Sequence, residues 1–467
     1  MWRSCGNSFQ NELAVRLEER GGRRWSVDER QRAADLVGMA KTFRPYEPDQ
    51  LLLLPPAIGD WVPEGHLARF VSDLVDGLEL GAIEDSYEEE RGYPPYNPRM
   101  MVKVLLYAYA TGIYSSRRIA RGLLDSVALR YLAAGNEPDF RTISDFRKRH
   151  GEALRGLFGQ VVRLCRRAGL VKLGRVAVDG TKIKANASKH KAMSYRRMKD
   201  AEARLQGEVD ELLRRAEETD EREDREYGKD KRGDELPEEL RFRESRLKKI
   251  REAMASLEAE AKEKAKKEGK DPEKARPAEK AQRSFTDPES RGQQAGRSYI
   301  QGYNAQIAVD EHSQVIVSQH VTNAAPDVQE LLPVVNRIGR DLGRKPRKVL
   351  ADAGYWSQAN VEALESKGIE AFVAPERRKH SDPLPPAPRG RIPTKLTLKE
   401  RMRRKLQTLR GRAVYAKRQV LPEPVFGQIK QARSFRQFLR RGLEAVGEEW
   451  ALVCTTHNIL KLYGARA

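Results

Sequence analysis

Asp179 and Asp352 sit in matching places at the ends of two short apolar runs. These are VAVDG, Val176 to Gly180, and VLADAG, Val349 to Gly354. A glycine just after each acid lets the chain turn away at once and leaves the carboxylate at the C-terminal edge of a strand. In open α/β sheets that edge is where ligands bind. If the two strands are neighbours, both carboxylates enter one crevice. Glu423 offers a third acid at the head of an expected helix whose start is marked by Pro422 and Pro424. Lys430 follows two helical turns later on the same face, and Arg433 and Arg440 continue a basic stripe. Carboxylate oxygens of this kind suit Mg²⁺, with Mn²⁺ as a substitute, and a few of them can hold two ions about 3.5–4 Å apart. One ion then activates water or a DNA 3′-hydroxyl, and the other stabilises the leaving oxygen of an in-line displacement at phosphorus. Lys182, with Lys184, Lys189, His190 and Lys191 after it, would form a wall facing the DNA backbone. Set against this are two plainer readings. A lone strand-end Asp is commonly a turn residue or cap, and a first-turn Glu is favoured by the helix dipole alone.

The bulk properties agree with a polyanionic partner. The 467 residues include 88 Lys and Arg against 68 Asp and Glu, a formal net charge of +20. Such a balance points to nucleic acid before an acidic membrane surface. No run of eighteen apolar residues is present, and LLLLPPAIGDWV is short and broken by Pro55 and Pro56, so no membrane span is expected. Cys5, Cys165 and Cys454 lie far apart, which makes neither a disulfide framework nor a thiolate metal cluster and suits a reducing cytoplasm.

The elements that must hold the acids can be placed along the chain. Residues 1–40 are polar and Arg-rich and read as a poorly ordered leader. Residues 41–170 read as compact helices with arginines on their polar faces, an all-α, helix-turn-helix-like DNA-binding domain. Ser115, Asp125 or Ser126, and Thr142 or Ser144 are the expected caps. Residues 188–297 are charged with both signs mixed, and read as a long helical insertion hinged near Gly228 to Gly233. Folded texture resumes with a hairpin, Asn304 to Val309 and Val315 to Val321. A helix follows, with Asp327 and Glu330 at capping-box spacing. Then come the Asp352 strand, a Ser357-capped helix, and a strand ending near Pro375. A basic, loop-like insertion over 376–417 leads into two amphipathic helices, the first with an apolar face of Phe426, Ile429, Ala432, Phe435 and Leu439.

Taken together, VAVDGTKIKANASKHK, GYNAQIAVDEHSQVIV, VLADAGYWS, YAKRQVLPEPVFGQIKQARSFRQFLRRG and EEWALVCTTHNILKLYG give most of residues 43–463 a family resemblance. The chain resembles the bacterial insertion-sequence transposases of the DDE class, with an InsH-type N-terminal domain. That resemblance implies an α/β RNase H-like catalytic domain, a mixed sheet with flanking helices, formed by 171–187 plus 298–467. It implies a metal-binding triad of Asp179, Asp352 and Glu423 carrying two Mg²⁺ ions. It also implies a signature of Tyr415, Arg418, Glu423 and Lys430, with Tyr415, Arg418 and Lys430 on DNA near the cut. The spacing from Arg418 to Glu423 is one residue longer than the commoner pattern, so Lys417 could share the role of Arg418. The implied partners are terminal inverted repeats and target DNA, bound by a homodimer or larger assembly in the bacterial cytoplasm at the nucleoid. The alternatives are an RNase H-like nuclease without strand transfer and a catalytically inactive DNA-binding protein.

Overall fold

The computed structural model describes residues 57–87, 94–187, 192–227, 238–296, 298–377, 385–391, 393 and 395–466. The expected leader, Lys189, His190, Lys191 and the expected hinge at 228–233 lie outside the described residues. Residues 57–467 form one compact unit.

A six-stranded mixed sheet is its centre. Its strands are β1 (Arg175–Lys184), β4 (Arg291–Ala295), β5 (Ser298–Asp310), β6 (Ile316–Thr322), β7 (Lys348–Ala351) and β8 (Glu370–Val373). The long β5 pairs antiparallel with β1 on one edge and with β4 and β6 on the other, and β1, β7 and β8 run parallel. The two strands between them, β2 (Ala192–Ser194) and β3 (Gln282–Ser284), form a small separate ribbon. Because β4 joins the sheet, the sheet takes up the chain again at Arg291, earlier than the expected boundary at 298. The Val/Ile/Ala-rich parallel strands are buried on both faces, as parallel strands covered by helices must be.

Helices lie in front of β1 in the chain: α1 (Leu67–Asp76), α2 (Pro98–Ala110), α3 (Ser116–Asp125), α4 (Val127–Leu132), α5 (Phe140–Arg149) and α6 (Gly151–Arg167). Asn97 caps α2 through Met100 N–H, with Pro98 in its first turn. Ser126 caps α4 as expected, but Asp139 rather than Thr142 or Ser144 caps α5, accepting from Thr142 N–H at 2.6 Å. These helices share one continuous hydrophobic core with the sheet.

The partner that joins them is the last helix, α15 (Leu443–Gly464), which packs on β6, α2 and α6. Every residue from Val446 to Ile459 is buried, so this helix is enclosed on all sides and not amphipathic as its sequence suggests. Its polar residues are satisfied internally. Asn458 exchanges hydrogen bonds with Ile316, and Glu449 accepts from the backbone N–H of Leu439 and Arg440. The remaining helices follow β6: α9 (Leu331–Leu342), ended by left-handed Gly343, and α10 (Gln358–Ser366), capped by Ser357.

The charged insertion contains two long helices, α7 (Tyr195–Tyr227) and α8 (Glu238–Lys267). They run antiparallel: Arg251 pairs with Glu202 at 2.8 Å and Arg243 with Glu208 at 3.0 Å. A small core of Tyr195, Met198, Leu205, Leu247, Ile250 and Leu257 holds them. The basic segment expected to be loop-like instead forms α11 (Leu398–Gln407) and α12 (Leu409–Tyr415). Thr397 and Glu400 close a capping box on α11. Two short helices follow, α13 (Lys417–Val420) and α14 (Pro422–Gly427).

Candidate active site

The register of β1 on β7 pairs Ala177 with Leu350, so two residues further on Asp179 stands beside Asp352. Neighbouring strands lie about 4.8 Å apart, and residues in register on parallel strands share a face. Each acid is fixed by a backbone N–H: Asp179 Oδ1 accepts from Gly180 at 2.9 Å, and Asp352 Oδ1 from Gly354 at 2.8 Å. Burial pushes the Asp179 carboxyl up to about 7. The negative charge of Asp352 adds to this, while the Gly180 N–H and Arg418 oppose it. The Asp179 carboxyl thus feels the charge of Asp352 in a partly buried setting.

Basic and aromatic groups close in from the helical side. Arg418 lies over the Tyr415 ring, 5.6 Å from its centroid. Burial drives the Tyr415 hydroxyl up to about 12, opposed by Arg418 and assisted by the charges of Asp352 and Asp179. Lys430 Nζ donates to Thr181 Oγ1 at 2.5 Å and to the Lys182 carbonyl at 3.1 Å, on the face of β1 that carries Asp179. Its pKa is lowered by burial and by Arg436, with Asp179 acting against them. The structure therefore gathers Asp179, Asp352, Tyr415, Arg418 and Lys430.

Three expected residues fall elsewhere. Glu423 is exposed in the first turn of α14, whose helix packs against β1 and β5, and it does not join the pair closely enough to make a three-acid metal group. Arg433 is buried, donating to Thr456 Oγ1 at 2.8 Å and to the Val453 carbonyl at 3.1 Å, which corrects the expectation that it faces DNA. The cause is a break in the expected helix. After α14 the chain makes one π-helical turn, Gln428–Ala432, and then turns at Ser434 with φ +58°. Phe435 and Phe438 then enter the core, and Gln437 bridges Lys184. Lys182 Nζ is engaged with the Ala325 carbonyl at 3.1 Å and with Asp327 at 3.4 Å.

Asp327 is the residue that sequence reasoning placed wrongly. It caps nothing, since α9 starts at Leu331. Its Oδ1 accepts from Asn304 at 2.6 Å and Gln306 at 2.8 Å, both fully buried on β5. Gln306 also accepts from the Tyr355 hydroxyl, in the turn that begins at Asp352. A side chain at Gly180 would collide with Gln306 Nε2, so the glycine beside Asp179 makes room for this network. The available signal was Asn304 and Gln306, two polar residues on one face of an otherwise apolar strand.

Among the described residues no three His, Cys, Asp or Glu side chains are gathered closely enough to hold a metal ion. The Asp179–Asp352 pair nevertheless suits Mg²⁺, which is commonly held by one or two carboxylates with waters and substrate phosphates completing its shell. Among the described residues no helix is long and apolar enough to cross a membrane.

Two family models match the chain. Residues 56–149 match a transposase domain (DUF772), and residues 256–459 match a transposase DDE domain. The second match includes Asp352 and Glu423, while Asp179 lies between the two. No curated protein and no solved structure matches the chain.

Proposed function

From the premise that the chain belongs to the insertion-sequence DDE transposases, we propose that it binds the terminal inverted repeats of its own element, hydrolyses the phosphodiester at each end, and joins the 3′ ends to target DNA. The observation that carries this reading is the placing of Asp179, midway along β1 where its pairing with β7 ends, beside Asp352, which directly follows β7. The sheet order, an antiparallel β6–β5–β1 meander followed by parallel β7 and β8, supports an RNase H-like catalytic domain.

Asp179 and Asp352 would hold the divalent ion, and Glu423 would complete the set when α14 shifts on DNA. Two such ions supply activation of the attacking oxygen and stabilisation of the leaving one. The chain's own groups do the rest. Lys430 and Arg418 neutralise phosphate oxygens next to the carboxylates, and the Tyr415 hydroxyl, held protonated by burial, donates to the backbone. Two ends must be processed together, which calls for at least a dimer on DNA.

The test uses duplexes taken from the DNA flanking the gene, incubated with the full chain, Mg²⁺ and a supercoiled target. Cleavage with joined products supports the reading. Cleavage without joining, even from pre-cut ends, would leave a nuclease, and binding without either would leave a DNA-binding protein.

A further inference from the structure

The helices before β1 carry an exposed basic face that the catalytic centre does not use. On α3, Arg117, Arg121 and Leu124 share one side at helical spacing, with Arg118 beside them, and all four are exposed. Across from them, at the start of α5, Phe140 is half-exposed. The guanidinium of Arg117 lies 5.0 Å from its ring centroid and that of Arg141 lies 5.7 Å away. Among the described residues none of Arg117, Arg118, Arg121 and Arg141 forms an ion pair. The neighbouring acids are already engaged: Asp139 caps α5 and Asp145 pairs with Lys148. Exposed arginines with no ion-pair partner, two of them set against an aromatic ring, match the spaced negative charges of a duplex backbone.

This face is also rigidly tied to the catalytic centre. The buried Arg147 donates to Tyr109 Oη and the Tyr114 carbonyl, both at 2.9 Å, and to Ser116 Oγ at 2.5 Å, locking α5 to the start of α3. Tyr114 in turn donates to the Arg433 carbonyl at 3.0 Å and stacks edge-on against Phe435. Gly112, at φ +81°, approaches the same segment so closely that a Cβ there would lie 2.9 Å from the Arg433 carbonyl oxygen. That segment follows Lys430 directly.

We propose that the α3–α5 face, Arg117, Arg118, Arg121 and Arg141 around Phe140, binds the backbone of duplex DNA inside the element's end. Being one body with the carboxylate pair, it sets the distance from bound repeat to cut bond. The inference rests on the transposase reading and names the surface it needs.

The test is fluorescence anisotropy of the full chain on an end duplex across a salt series. The Arg117→Ala/Arg121→Ala/Arg141→Ala variant is compared with the corresponding Lys variant and with wild type. Each lost phosphate contact lowers the log–log salt slope by about 0.9, so the Ala variant should lose roughly 2–3 in slope and at least about tenfold in affinity. The Lys variant should keep the slope, since it retains the charge. Wild-type affinity and slope in the Ala variant would overturn the proposal. So would an equal loss in both variants accompanied by a lowered Tm, which would make the arginines structural. If wild type binds no duplex at all, the functional reading itself fails.

Discussion

The two halves of the proposed catalytic centre are built differently. Asp179 lies within β1, paired with Ile307 of β5, and Asp352 directly follows the last residue of β7, so strand pairing places both before any ligand arrives. Tyr415, Arg418, Glu423 and Lys430 ride on a succession of short helices and one π-helical turn. The strand-borne acids are already side by side; Glu423, in the first turn of α14, is exposed. A sheet edge thus preorganises the pair, while the third acid depends on a segment with few internal hydrogen bonds and a break at each end. Preformed and ligand-completed parts therefore coexist in one site.

Substitutions can break this contrast. Asp352→Asn should reduce end cleavage on the order of a thousandfold and abolish Mn²⁺ binding to the DNA-free chain, measured by electron paramagnetic resonance. Glu423→Gln should cost cleavage about a hundredfold or more, yet leave Mn²⁺ binding to the DNA-free chain unchanged. Equal metal affinity losses in the two variants would erase the distinction. Lys430→Ala should weaken end-duplex affinity by roughly tenfold at moderate salt, with a shallower salt slope. Gly180→Ala tests the rigidity of the strand half: overpacking against Gln306 should lower stability by about 1–3 kcal/mol in denaturant unfolding.

The smallest effect concerns pH and the support beneath both halves. Burial, with Arg433 adding to it, lowers the His457 pKa to about 3. The unfolded chain, with an ordinary histidine, then binds more protons than the folded one between about pH 6.5 and 3. Stability is complete above that window and is lost as pH falls through it. His457→Gln should flatten the acid limb of the unfolding curve; an unchanged limb would place the loss in other groups.

The strand half was legible in the sequence because its signal is local. An apolar run and an acid mark each strand, and Ser357 and Ser126 cap where they were expected, but only β7 stops at its acid; β1 runs on through Gly180 to Lys184, paired with β5. The helical half was not, because what shapes it is remote. Residues Glu423 to Leu439 have a continuous helical pattern, yet Phe435 and Phe438 gain more by entering the core beside Trp450 and Tyr303 than by extending a helix. Asp327 was read as a cap because Glu330 has the right spacing, while Asn304, Gln306 and Lys182 compete for it across the fold. The helices at 398–415 escaped notice because Arg and Lys fill seven of the eighteen positions, and Met402 and Val414 are the large apolar side chains fully buried there.

The enclosed helix Leu443–Gly464 is the common wall of the sheet and of the helices that precede it, and it is synthesised after all of them. Nearly all the other elements must wait for it with their apolar faces uncovered. Closure of the core then waits for synthesis of this helix rather than following synthesis of the first ones. Arrested nascent chains ending before Val446 should accordingly stay open to proteolysis, and released full-length chains should become resistant in one step.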